Sequence, residues 1–204
     1  MTRYCPPYTP MVEVVPEGTA GDVAVEYFEL TREQVSFEQM MGVFRRSHAE
    51  VYDLVAGRYA RLQTAGGTVW MSDTPMERRT CQPLLDRAHG HVLISGLGLG
   101  MVLLPLLRNE YVEHVTVVER SADVCALVEP HVRRVIGRRA ENGLHVVVGD
   151  IHTWSPPHRF KYDVIWHDIW SDLCADNYTE MKVLHRQFKY QLNRDNPRCW
   201  MESW

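Results

Sequence analysis

Val92-Leu93-Ile94-Ser95-Gly96-Leu97-Gly98-Leu99-Gly100 passes from an apolar strand into a glycine-rich turn, and the apolar run behind it, Met101 to Leu107, suits a short helix. Glycine lets the backbone turn sharply there and lets a ligand approach without interference from a Cβ. A strand, a tight turn and a helix form half of a βαβ unit. The pattern repeats downstream. Short β-rich runs at His91–Ser95, His114–Val118, Leu144–Val148, Tyr162–His167 and Arg198–Ser203 alternate with helical stretches near Leu99–Arg108, Ala122–Ile136 and Asn177–Leu192. That alternation predicts an α/β fold, a doubly wound and mostly parallel Rossmann-like sheet ending at its fifth strand. Right-handed crossovers then place the ligand crevice at the carboxyl ends of the strands, where the winding reverses.

Two strand ends carry acids. The second strand, Val115-Thr116-Val117-Val118, ends in Glu119, 23 residues after Gly96, where a carboxylate can accept both hydroxyls of a ribose. The third ends in Asp150, placed to accept from an adenine amino group, with Ile151 beside it. With Gly96, Gly98 and Gly100 these residues form the predicted cofactor site, and their spacing points to a nucleoside ligand.

On these residues the sequence resembles the class I S-adenosylmethionine-dependent methyltransferases, and within them the spermidine-synthase-like branch with its small β-rich N-terminal piece. The resemblance covers roughly residues 59 to 204. Gly96-Leu97-Gly98-Leu99-Gly100 looks like the family's glycine motif, Glu119 like its ribose acid, Asp150 like its adenine-side acid and Tyr162-Asp163-Val164-Ile165-Trp166-His167-Asp168 like its fourth strand. The resemblance implies S-adenosylmethionine as donor or substrate. Two departures matter. Aminopropyl transferases of the branch carry an acid inside the glycine motif, where this chain has Leu99, and their fourth-strand loop keeps only its first Asp in Asp168-Ile169-Trp170-Ser171-Asp172. Glu77 resembles a glutamate the synthases use on substrate, although a helix cap accounts for it equally well.

His167-Asp168-Ile169-Trp170 leaves the fourth strand at the switch point. Asp168 is predicted to anchor the methionine amino group or take a proton from the substrate. His167 is a candidate general base and Trp170 a cation-stabilising wall. Strand alternation forbids His167 and Asp168 from facing one way, so His167 has packing in the sheet face as its alternative. Asp176-Asn177 reads as a cap on the next helix. The ten His are scattered without a His-x-x-x-His pair, so no metal site is expected. Arg133, Arg134, Arg138 and Arg139 read as a solvated basic face.

Residues 1–75 form a second region, set apart from the predicted catalytic unit at 76–204. A proline-punctuated arm (Pro6, Pro7, Pro10, Pro16) precedes a strand at Asp22–Leu30. Thr31-Arg32-Glu33-Gln34 reads as a capping box. The helix it opens should run to about Leu54, with Val35, Met40, Phe44 and Val51 inward and Gly57 ending it. Tyr59–Gln63 and Thr68–Met71 flank Ala65-Gly66-Gly67 as a hairpin, and Thr74-Pro75-Met76-Glu77 reads as a second capped helix start.

The composition suits an ordinary folded domain. The 204 residues are 45% hydrophobic, and the net charge of −4 gives no general attraction to nucleic acid or anionic lipid. No apolar run approaches the roughly 20 residues of a membrane span, and Met1-Thr2-Arg3-Tyr4-Cys5-Pro6-Pro7 lacks the apolar core of a signal peptide. A cytoplasmic setting is therefore expected, with the five cysteines as thiols. Methyl transfer to a small molecule is the leading expectation. Lyase or cyclase chemistry on S-adenosylmethionine releasing methylthioadenosine, aminopropyl transfer, and a non-catalytic nucleoside-binding protein are the alternatives. An apolar edge at Cys199–Ser203 suggests a homodimer in which one subunit's arm covers the other.

Overall fold

In a computed structural model, residues 8–45, 54–170 and 175–204 are described. The chain opens with an antiparallel sheet of β1 (Gly18–Ala20), β2 (Val23–Leu30), β3 (Gly57–Thr64) and β4 (Val69–Ser72), in that order. Helix α1 (Arg32–Arg45) follows β2. Its predicted capping box is present: Thr31 N–H donates to Gln34 Oε1 at 2.8 Å and Gln34 N–H to Thr31 Oγ1 at 3.2 Å. Val35 is buried as expected, but Met40 is 51% exposed, because α1 packs extensively on no other described element. The Phe44 side chain and Val51 lie outside the described residues. Gly57 opens β3 rather than closing the helix.

After β4 come α2 (Pro75–Thr80) and α3 (Gln82–Arg87). The second predicted capping box is rewired. Thr74 makes no side-chain cap bond, and Glu77 turns back to accept from both the N–H and the Oγ–H of Ser72 at 2.8 Å. β4 is an edge strand, and Asp73 N–H already points to Ala60 O. Ser72 N–H therefore faces away from β3 and needs a partner outside the ladder.

The second sheet is wholly parallel. Its strands are β5 (Gly90–Ser95), β6 (Val112–Glu119), β7 (Leu144–Val148), β8 (Val164–His167) and β9 (Trp200–Ser203), ordered β7-β6-β5-β8-β9. Helices α4 (Leu103–Arg108), α5 (Ala122–Ile136), α6 (Arg138–Gly143) and α7 (Ala175–Phe188) connect or flank them. The predicted doubly wound arrangement is thus present, with the reversal between β5 and β8. Some boundaries move. α4 starts four residues later than expected because Gly100 N–H and Leu103 N–H close turns onto Leu97 O and Gly100 O. β8 starts at Val164, since the Asp163 carboxylate is held by His91 N–H, Asn193 and Asn196.

One hydrophobic cluster unites both sheets: Met11, Val25 and Leu62 from the N-terminal side pack in it with Val92, Leu104, Val117 and Val128. A smaller cluster, including Leu93, Ile151, Ile165, Leu184 and Phe188, lies under α7. The basic stretch is solvated except at Arg133. Arg134, Arg138 and Arg139 are exposed, but the half-buried Arg133 donates to Ala140 O and Leu144 O and pairs with Glu129 at 2.7 Å. Arg139 donates to Leu107 O and Val112 O. These guanidiniums satisfy carbonyls where helices meet strand ends. Among the described residues no helix is long and apolar enough to cross a membrane.

Candidate functional site

The glycine loop sits at the carboxyl end of β5, between the ends of β6 and β8. Gly96 (φ +94°) and Gly98 (φ +52°) adopt the left-handed region, and each has a protein atom where a Cβ would stand. At Gly96 that atom is the carbonyl oxygen of Asp168, and at Gly98 it is the Met71 sulfur. Gly100 similarly abuts Val132 on α5. Gly96 and Gly100 are therefore required by packing within the protein before any ligand is considered, whereas at Gly98, where the neighbour is the end of a flexible side chain, it is the positive φ that favours glycine.

Glu119 reaches the loop from the end of β6. Its Oε2 accepts from Leu97 N–H and its Oε1 from Ser121 N–H, both at 2.7 Å, so it braces the turn after β5 against the turn into α5. Each oxygen carries a second lone pair, and Glu119 is only partly buried, so both can still accept from hydroxyls. Asp150 lies at the end of β7, where Oδ1 accepts from His152 N–H at 2.9 Å. Ile151 is 4% exposed and committed to the cluster under α7, which leaves almost none of it to face a ligand.

The end of β8 separates its residues by face. His167 is fully buried, with Nδ1 2.7 Å from Ser95 Oγ and its ring against Phe188 and His185. Burial lowers its imidazole from 6.5 to about 3, and His185 and His152 push the same way. Among the partners described, Nε2 has none. Asp168 lies by the glycine loop, where its backbone carbonyl meets Gly96 and Trp166 Nε1–H donates to its Oδ2 at 3.4 Å. Burial raises the Asp168 carboxyl from 3.8 to about 7, opposed by that indole bond and aided by the Glu77 carboxylate. Glu77 is itself raised by burial. Trp170 turns toward α7, where its Nε1–H donates to Glu180 Oε2 at 2.6 Å.

Gly96, Gly98, Gly100, Glu119 and Asp168 thus surround one loop, Asp150 stands two strands away, and His167 and Ile151 lie inside the core. Two residues went unnoticed in the sequence. Met71, at the end of the hairpin strand β4, donates no obvious chemistry, yet its Sδ lies 3.1 Å from Leu99 N. Asp73 is fully buried and ties three segments together, accepting from Met11 N–H at 2.7 Å, Ala60 N–H at 2.8 Å and Arg78 at 3.0 Å. A lone Asp before Thr-Pro carried no signal beyond a turn. A cavity of about 460 Å³ beside His114, Thr116, Trp154 and Tyr162 opens on the sheet face, away from this loop.

No family model matches the chain. Over 90 residues, 43% of its length, it is 36% identical to polyamine aminopropyltransferase 1 of Streptomyces coelicolor, of which it spans only 17%. Among solved structures, it is similar to the CcbJ methyltransferase from Streptomyces caelestis over 55% of this chain and 41% of that one, with 21% identity and a TM-score of 0.43. It is also similar to the N-methyltransferase NodS from Bradyrhizobium japonicum over 59% and 64%, with 17% identity and a TM-score of 0.44.

Proposed function

We propose that the chain binds S-adenosylmethionine across the carboxyl ends of β5, β6 and β8 and directs transfer of its methyl group to a small molecule. The observation that carries this reading is the meeting of the glycine loop, the Glu119 carboxylate and Asp168, whose backbone carbonyl lies on Gly96, at the switch point of a parallel sheet. When bound, the sulfonium supplies an electrophilic methyl group and a good leaving thioether, so the protein is required mainly to align partners and exclude water. Glu119, already fixed by two backbone N–H groups, keeps lone pairs for the ribose hydroxyls. Asp150 stands on the adenine side. Asp168, with a carboxyl near 7, can take a proton from an acceptor at neutral pH, a role closed to the walled-in His167.

The stretch of similarity to an aminopropyltransferase favours a second reading, aminopropyl transfer from decarboxylated S-adenosylmethionine. Leu99 weighs against it, because its side chain is fully buried and offers no charge to the amine. Incubation with each donor, with and without a panel of small acceptors, followed by mass spectrometry, tests both. Methyl transfer gives S-adenosylhomocysteine only with an acceptor. Methylthioadenosine from the decarboxylated donor and an amine supports the second reading, and methylthioadenosine from S-adenosylmethionine alone indicates lyase or cyclase action. No product under any condition rejects an enzymatic role.

A further inference from the structure

Three backbone N–H groups of the glycine loop have oxygen acceptors: Gly96 donates to Val118 O, Leu97 to Glu119 Oε2 and Gly100 to Leu97 O. Leu99 N–H differs, since it donates to the Met71 thioether sulfur. A thioether is a weak acceptor, so an anionic oxygen would be a stronger partner for this N–H. The same sulfur fills the space over Gly98, so one side chain from the antiparallel sheet covers both the donor and the bare backbone beside it. The Leu99 side chain is fully buried, and its N–H is what the position can offer a ligand. β4 is an edge strand whose ladder with β3 is already irregular at Leu62 and Gln63, and Met71 is only partly buried, at the margin of the shared core, which leaves its long side chain room to adopt another rotamer.

We infer that Met71 is a specificity-determining residue that holds the place of a ligand carboxylate: an oxygen of the amino-acid end of the ligand displaces Sδ from Leu99 N–H. This rests on the reading that S-adenosylmethionine binds here. Exchange of a sulfur acceptor for a charged oxygen gives the loop a reason to select a donor that keeps its carboxylate over one that has lost it. No bond is made or broken in the exchange, and the Met71 side chain moves off the loop.

The experiment is calorimetric titration of the full chain, its Met71→Ala variant and its Met71→Gln variant with S-adenosylmethionine, and with methylthioadenosine as the probe lacking the carboxylate. Alanine uncovers Leu99 N–H, whereas the glutamine amide oxygen competes for it more strongly than sulfur does. S-adenosylmethionine should bind Met71→Ala about five-fold more tightly and Met71→Gln about five-fold more weakly than the parent, the size of one hydrogen bond. Methylthioadenosine should respond to the glutamine change far less. In the ligand-free protein, hydrogen exchange at the Leu99 amide should quicken in Met71→Ala, which reads the bond independently of ligand. Binding by the parent with unchanged or reordered variant affinities overturns the role of Met71. Failure of S-adenosylmethionine to bind parent and variants alike, with all three folded by circular dichroism, overturns the cofactor reading and the inference with it.

Discussion

The two sheets of this chain reach stability by different routes. In the parallel sheet, β5 and β8 are apolar and buried on both faces, with Val92, Leu93, Ile94, Val164, Ile165 and Trp166 at 2% exposure or less. Such strands drive burial by composition alone. The antiparallel sheet has a three-residue β1 and a β4 whose first two residues are exposed, and besides the apolar residues it gives to the shared core it relies on a few polar contacts. Asp73 supplies three of these, joining the segment at Met11, β3 and α2 to one another, and Met71 supplies a contact to the glycine loop. The parallel sheet provides the site's frame, and the antiparallel sheet determines what covers it.

The largest effect expected on this contrast is at Asp73. Asp73→Ala removes one member of a buried ion pair and leaves Arg78 and two backbone N–H groups without an acceptor, a loss of about 3–5 kcal/mol. Because both sheets share one core, unfolding in denaturant should remain a single transition with a lower midpoint. Separate transitions for the two sheets would break the comparison as drawn.

Glu119→Ala comes next. It should weaken S-adenosylmethionine binding by about 1.5–3 kcal/mol, through lost charge-assisted hydrogen bonds and a loosened Leu97 N–H. Equal affinities by calorimetry would remove Glu119 from the site.

Asp168→Asn separates chemistry from folding. Activity should fall at least about ten-fold while the protein remains folded. Burial makes the folded chain hold the Asp168 proton more tightly than the unfolded chain does, so its contribution to stability is full below about pH 4 and is lost as pH rises through about 7. The parent's melting temperature should decline across that window, and the Asn variant's should decline less. His167 tilts the acid side the other way: its depressed imidazole contributes stability that is full above 6.5 and lost as pH falls toward about 3. Identical pH profiles for Asp168→Asn and parent would show that the Asp168 carboxyl is not held in its proton-binding state by the fold.

The smallest effect belongs to the α1 cap. Thr31→Ala removes the oxygen that Gln34 N–H donates to and should cost about 0.5–1 kcal/mol, read from the denaturation midpoint. A larger loss would mean that α1 packs more firmly than its exposed Met40 indicates.

Much of the frame was legible because its signals are local. Glycines 96, 98 and 100, the apolar strand before them and the acids closing β6 and β7 follow from spacing along a βα repeat, and the Thr31–Gln34 cap from four consecutive residues. Glu77 resisted that reading. Its spacing from Thr74 suits a cap, but an unpaired N–H on an edge strand drew it back to Ser72. Arg133 looks like a surface charge until the Leu144 carbonyl at the start of β7 is known.

The sequence by itself determined the alternation of strands and helices, the sheet's winding and the positions of the glycine turn and the strand-end acids. Periodicity and backbone freedom belong to neighbouring residues. Tertiary structure alone decided that His167 is sealed in the core while Asp168 meets the loop, that Ile151 packs under α7, and that Met71 lies on the Leu99 N–H. Those outcomes join residues that are distant in the chain or depend on which face of a strand is covered, and burial and hydrogen-bond geometry exist only once the two sheets have docked.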